Sequence, residues 1–137
     1  MGFIQVVAGV IWKDGRFLAA RRYGCKLGAG FWEFPGGKIE PEETREQALV
    51  RELKEELGII VQDFEYWKSE EHSYAEYTIV LHFFHVTGFL NVPVLVEGHD
   101  ALAWVTPQEA DEYKFLPADA QILFELKEKY PAGVCGG

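Results

Sequence analysis

The chain predicts an α+β domain in which one mixed β-sheet lies between helices on both faces, an α/β/α arrangement. Three observations carry that expectation. An apolar, β-branched run with hairpin punctuation opens the chain. A leucine stripe at helical spacing follows it. Further β-rich runs then precede two short helices, so hairpins and helices alternate with no repeat, linker or low-complexity segment between them.

The elements follow in order. Ile4 to Lys13 carries Val6, Val7, Val10 and Ile11 and reads as a strand. Asp14-Gly15 is a hairpin signal, and Arg16 to Arg22 is the returning strand. Tyr23 to Gly30 holds three glycines and reads as a loop. Phe31 to Phe34 is a short strand, stopped by Pro35-Gly36-Gly37 as a glycine turn. Glu42 to Leu57 is the clearest helix: Leu49, Leu53 and Leu57 recur at i, i+4 and i+8, Thr44 is placed to cap it, and Gly58 to end it. Val61 to Glu71 and Tyr77 to Gly88 are strands, and Ala101 to Val105 a shorter one. Thr106-Pro107 opens a short helix with proline at its first position. Asp119 to Tyr130 is the last helix. Residues 1–130 are expected to form a single domain and 131–137 a flexible tail.

Bulk composition excludes several function classes. A formal net charge of -9 argues against gripping polymeric DNA or RNA, which needs a basic surface to displace counterions. An acidic protein still binds a small phosphorylated ligand when cations bridge the two, which points toward metal. Aromatic residues reach 15%, enough for a dense core, a ring-lined pocket, or both. Cys25 and Cys135 are far apart and belong to no CxxC or Cys/His cluster, so neither a disulfide framework nor a zinc site is expected. No signal peptide and no run of membrane-spanning length are visible, and a cytoplasmic protein is expected.

Within the first helix, Glu52, Glu55 and Glu56 stand at i, i+3 and i+4 and share one face. Like charges so placed repel each other, and a divalent cation removes the penalty. Carboxylate oxygens are hard ligands that suit magnesium or manganese. Taken alone, such a run reads as a solvated acidic face. Its context differs: glycines precede the helix, Glu43 sits near its start where a carboxylate suits the dipole, and Arg51 stands beside Glu52.

The pattern Gly37, five residues, Glu43, seven residues, Arg51-Glu52-Leu53-Lys54-Glu55-Glu56-Leu57-Gly58-Ile59 resembles a complete Nudix box. The resemblance extends over nearly the whole chain. Val6 to Arg22 is similar to the family's first hairpin, and Trp32 to Glu40 to its MutT-like branch, with its CTP pyrophosphohydrolase and 8-oxo-dGTP diphosphatase types. It implies the Nudix fold and hydrolysis of a nucleoside diphosphate linkage by metal-activated water. It implies Glu52, Glu55 and Glu56 as metal ligands, the Gly36 carbonyl as a further one, and Mg2+ as cofactor with Mn2+ as substitute. Lys38 is implied to place water or phosphate, and Arg51 and Glu43 to be structural partners. Glu97 reads either as a surface loop residue or as another metal-binding or base carboxylate.

Substrate choice lies outside the box. Asp119, in Phe115-Leu116-Pro117-Ala118-Asp119, stands where MutT-like proteins contact the base. An ionised Asp only accepts and suits an exocyclic amine; a protonated one imitates Asn. It reads equally as an N-cap for the last helix. Arg22 reads as a phosphate or base contact or as a solvated strand end. Phe34 and Trp32 read as pocket wall or core. Tyr77 stands where many MutT-like proteins place an arginine against the base. His72, His82, His85 and His99 read as structural or surface residues. The expected partner is a nucleoside triphosphate, with no polymeric nucleic acid and no membrane, and the protein a monomer or homodimer. The expected activity gives monophosphate and pyrophosphate from modified or oxidised nucleotides, (d)CTP-like or 8-oxo-dGTP. Alternatives are a hydrolase of dinucleoside polyphosphates or ADP-ribose, and a non-catalytic nucleotide-recognition module. The ADP-ribose option lacks its associated proline between Ser73 and Thr78, while Tyr74 and Tyr77 leave the dinucleoside option open. The module usually loses box acids, and all are present here.

Overall fold

A computed structural model describes residues 2–23 and 29–134. Among them, the strands are β1 (Gly2–Lys13), β2 (Arg16–Arg22), β3 (Trp32–Glu33), β4 (Gly36–Lys38), β5 (Ile60–Ser73), β6 (Tyr77–Leu90) and β7 (His99–Val105). The α-helices are α1 (Arg45–Leu57) and α2 (Ala120–Lys129), with 3-10 turns over Pro107–Glu112 and Pro117–Asp119. The sheet runs β3-β2-β1-β6-β5, with β4 also on β1 and β7 also on β2. It is mixed, because β1 and β6 are parallel while the other pairs are antiparallel.

β1 is the axis of the sheet, and its alternation builds both layers. Val7 and Ile11 point into one core with Leu49, Leu53 and Leu57 of α1. Ala8, Val10 and Trp12 point into the other, with Ile122 and Leu126 of α2. A strand buried on both faces reads as the near-continuous apolar run seen in the sequence. Asp14 and Gly15, with φ of 53° and 77°, make the hairpin between β1 and β2, a turn whose twist matches the strands.

α1 starts three residues later than the sequence pattern indicates. Glu42 takes a left-handed φ of 68°, and Thr44 caps the helix through the Gln47 amide while Gln47 reaches back to the Thr44 amide. Gly58 ends it at φ 71°, its N–H on the Lys54 carbonyl. The last helix likewise begins after Asp119, because Pro117–Asp119 form a 3-10 turn first.

The larger correction concerns Gly36 and Gly37. They form no turn. They lie in β4, antiparallel to Val6–Ala8 of β1, and neither has a positive φ. Their lack of a side chain serves close approach: a Cβ on Gly36 would overlap the Val7 carbonyl oxygen, and one on Gly37 would overlap the Glu52 carboxylate. Most of the loop expected over Tyr23 to Gly30 lies outside the described residues, as do both cysteines and residues 135–137. Among 131–134, Gly133 sits against the Trp12 ring and Gly15.

Leu53 is fully buried at the centre of the α1 layer. Leu53→Ala is expected to lower unfolding stability by about 2–5 kcal/mol. Urea titration checks this, and a loss below 1 kcal/mol would mean α1 is not held by its leucine stripe.

Candidate active site

α1 lies across β4, and this crossing assembles the acids. Arg51 is the tie. Its Nε and Nη2 grip both oxygens of Glu43 at 2.6 and 2.9 Å, and Nη2 also reaches the Lys38 carbonyl at 3.0 Å. Its Nη1 donates to Glu52 at 2.8 Å and to Glu55 at 3.0 Å. One guanidinium thus joins the loop before α1, the end of β4 and two helical carboxylates. Glu56 turns the other way and accepts the Gly36 N–H at 3.1 Å. After β6 the chain returns past the end of α1, where Val94 and Val96 donate to the carbonyls of Leu57 and Glu56. That pairing brings exposed Glu97 near enough for its charge to act on Glu56.

A cleft of about 380 Å3 opens beside β4. Gly36, Gly37, Lys38 and Glu56 form part of its wall. Arg22, Glu33, Phe34, His99, Leu116 and Asp119 form another part, and Ile4, Val6, Ile79 and Leu81 of the β1–β6 pair supply apolar surface. Tyr74 and Tyr77 also line it, their rings stacked 5.1 Å apart. Concave, mostly apolar walls with a few convergent polar groups are the form of a small-molecule site.

A NUDIX domain model matches residues 6–125. The chain belongs to the Nudix family. It is 45% identical to a CTP pyrophosphohydrolase of Escherichia coli K12 over 123 residues, 90% of each chain. It is 36% identical to an 8-oxo-dGTP diphosphatase of Haemophilus influenzae over 124 residues, again 90% of each. The solution structure of the E. coli ORF135 protein matches it with a TM-score of 0.83 at 43% identity, covering 96% of both chains. The chain is a Nudix hydrolase, a family that generally uses divalent metal.

Of the residues singled out in the sequence, Arg22, Phe34, Gly36, Lys38, Glu56, Tyr77 and Asp119 meet in the one cleft. Glu52 and Glu55 lie beside it on Arg51, and Glu97 is exposed. No three His, Cys, Asp or Glu side chains among the described residues gather around one point. Arg51 Nη1 bridges Glu52 and Glu55, while Glu56 turns to the Gly36 amide. Trp32 is not in the cleft wall. Neighbouring strand residues face opposite ways, so Glu33 takes the cleft, while Trp32 packs edge-on to Tyr113 at 5.1 Å. Asp119 makes no side-chain capping bond to α2, although it occupies the capping position. Glu33 and His99 are the cleft residues that sequence reasoning missed. Both sit on short strands whose neighbours are set by long-range pairing, so spacing along the chain carries no sign of them.

The Nudix box is electrostatically divided. Arg51, helped by the Glu40 amide, holds Glu43 down to about 2, so Glu43 stays ionised. Glu56 is pushed up to about 8, first by burial and then by the charges of Glu52 and Glu33, against the Gly36 amide. Glu52 is also raised, by burial against the pull of Arg51. Asp119, only 3% exposed, is raised well above the usual carboxylate range by burial and by Glu33, with Arg22 opposing.

These directions set a pH dependence. Between its ordinary value of 4.5 and about 8, Glu56 keeps a proton in the fold that the unfolded chain has released. The metal-free fold therefore loses stability as pH rises through that window. In chelator, the melting temperature is expected to fall from about pH 5 to about pH 8, and Glu56→Gln to flatten the slope. Circular dichroism melts check it; an unchanged slope in the variant would remove Glu56 as the cause.

Proposed function

We propose that the protein is a magnesium-dependent nucleoside triphosphate pyrophosphohydrolase that releases monophosphate and pyrophosphate. Manganese substitutes for magnesium in this reading. Its substrates are modified or oxidised nucleotides, with (d)CTP-like and 8-oxo-dGTP forms foremost. The observation that carries it is a single cleft whose wall includes Gly36, Lys38 and Glu56 of the box together with Arg22, Phe34, Tyr77 and Asp119. A cytoplasmic monomer or homodimer acting on free nucleotides fits this reading.

The donor set suits a hard divalent cation. Glu52, Glu55, Glu56 and Glu97 supply carboxylates, and the Gly36 carbonyl a further oxygen. The space a Cβ on Gly37 would fill is taken by the Glu52 carboxylate, which fixes that acid against the strand. A divalent cation held there neutralises phosphate oxygens, lowers the pKa of water and favours in-line attack. Lys38 adds a positive charge at the cleft for a phosphate or the attacking water. Arg51 keeps α1 and β4 in register while the acids change partners.

Asp119 supports the base assignment in a specific way. Burial favours its protonated form, which would donate through its hydroxyl and accept through its carbonyl, as Asn does. That pair matches the N3 and exocyclic amine of cytosine. It also matches O6 and a ring N–H of an oxidised guanine. One neutral carboxyl thus accommodates both substrate types, where an ionised one would favour only amines. The stacked Tyr74 and Tyr77, with Tyr74 43% exposed, keep a second reading in view: a dinucleoside polyphosphate whose other base stacks there.

The test is pyrophosphate release with and without magnesium over normal, oxidised and methylated nucleotides. Glu52→Gln is expected to abolish turnover with the fold intact; near-normal rates would sink the metal mechanism. Asp119→Asn is expected to keep turnover and base preference, while Asp119→Leu loses about ten- to hundredfold in kcat/KM. Equal behaviour of the two variants would show that Asp119 does not contact the base. Preference for dinucleoside polyphosphates in the same screen would favour the second reading.

A further inference from the structure

Glu33 has a setting of its own. β3 and β7 pair with opposite edges of β2, since Ala20 is opposite Glu33 on one side and Leu102 on the other. Arg22 lies near the end of the shared strand. The Glu33 carboxylate reaches both neighbours at once: Oε1 accepts Arg22 Nε at 3.1 Å, and Oε2 accepts His99 Nε2 at 2.8 Å. A carboxylate facing a cationic guanidinium and an imidazole can only accept, so Nε2 of His99 carries the hydrogen. Its Nδ1 is buried and has no hydrogen-bond partner among the described residues.

A β-bulge produces this contact. The register between β2 and β7 shifts between Arg21 and Arg22: Arg21 is opposite Ala101, yet Arg22 is opposite His99. Asp100 is left out of the pairing, and its carboxylate takes Arg21 Nε at 2.8 Å instead. Without the extra residue, Asp100 would stand opposite Arg22. Bulges re-aim side chains beside active sites in this manner. Here the result is a histidine, 7% exposed, in the cleft wall beside Glu33 and near Asp119.

We propose that His99 is a positioning residue for base selection: its Nε2–H holds the Glu33 carboxylate across β2 so that Glu33 accepts an N–H of the nucleobase next to Asp119. The proposal rests on the nucleotide reading above. Glu33 then supplies an acceptor and neutral Asp119 a donor and an acceptor, so the cleft asks for a base edge with an N–H beside such a pair. Arg22 Nε engages one oxygen and His99 Nε2 the other, so the two contacts together set the orientation of the carboxylate.

The experiment is steady-state hydrolysis of dCTP and 8-oxo-dGTP by wild type, His99→Phe, His99→Gln and Glu33→Gln, with melting temperatures alongside. His99→Phe keeps a planar ring and loses the donor; His99→Gln keeps an N–H at similar reach. His99→Phe is expected to raise KM for the preferred nucleotide about tenfold, the size of one charge-assisted hydrogen bond, with kcat little changed. His99→Gln is expected to restore KM. Glu33→Gln should raise KM likewise, and His99→Phe added to it should bring little more. An unchanged KM in Glu33→Gln, or equal losses in the Phe and Gln variants of His99, overturns the proposal. Glu33→Gln leaves His99 in place and so decides the matter even where His99→Phe does not fold. If wild type releases pyrophosphate from neither nucleotide, the nucleotide reading fails and the proposal falls with it; turnover by wild type with unaffected variants removes His99 alone.

Discussion

The close approach of α1 to β4 is the constraint on which the rest of this molecule depends. Glu43, Glu52, Glu55 and Glu56 cannot be brought near one another without a counterweight. Here the counterweight is Arg51, whose guanidinium takes Glu43 in a two-pronged grip and still reaches Glu52, Glu55 and the Lys38 carbonyl. That geometry is available only because Gly37 leaves room for the Glu52 carboxylate and Gly36 leaves room for the β1 backbone. An alanine at Gly37 would push the Glu52 carboxylate off β4, and one at Gly36 would force β4 away from the β1 backbone. The glycines therefore act through what they lack, and the arginine through how many partners it holds.

The same crowding sets the protonation pattern. Glu43 meets Arg51 head-on and is held ionised, while Glu56 turns inward among other acids and keeps its proton to about 8. Two glutamates of one box are thus driven in opposite directions, Glu43 by the guanidinium beside it and Glu56 first by burial and then by neighbouring acid charges. An incoming divalent ion would supply to Glu56 what Arg51 already supplies to Glu43, Glu52 and Glu55.

The box end of the molecule was legible in the sequence because its signals are local. The leucine stripe, Thr44, Gly58 and the spacing from Gly37 to Glu56 all lie within one helix and its approach. Even there, the two glycines read as a turn, since a GG pair looks the same whether it bends the chain or slips under a neighbour. The other part of the cleft was only half legible. Asp119, Arg22 and Phe34 stood out through resemblance, and the structure sets them together. Glu33 and His99 did not stand out. They are 66 residues apart, and what joins them is the pairing of β3 and β7 to β2 together with a one-residue slip in register. No local pattern encodes such a slip, because it is a property of two strands at once.

This contrast bears on how the two parts of the cleft can change. The acid helix is over-determined: Arg51 alone binds several partners, so a substitution there disturbs fold and charge together. The Glu33–His99–Asp119 group has fewer ties. Asp119 lacks a capping bond, and its proton depends on burial and on the nearby Glu33 charge. In the proposed reading, a small change in where Glu33 lies, or in whether it is held, would alter the donor and acceptor pattern offered to a base without touching Arg51 or α1. On that same reading, base preference would drift on β2, β3 and β7 while the box acids stay fixed on α1 and β4. The bulge at Asp100 is the hinge of that independence, because it alone decides whether a histidine or an aspartate stands opposite Arg22.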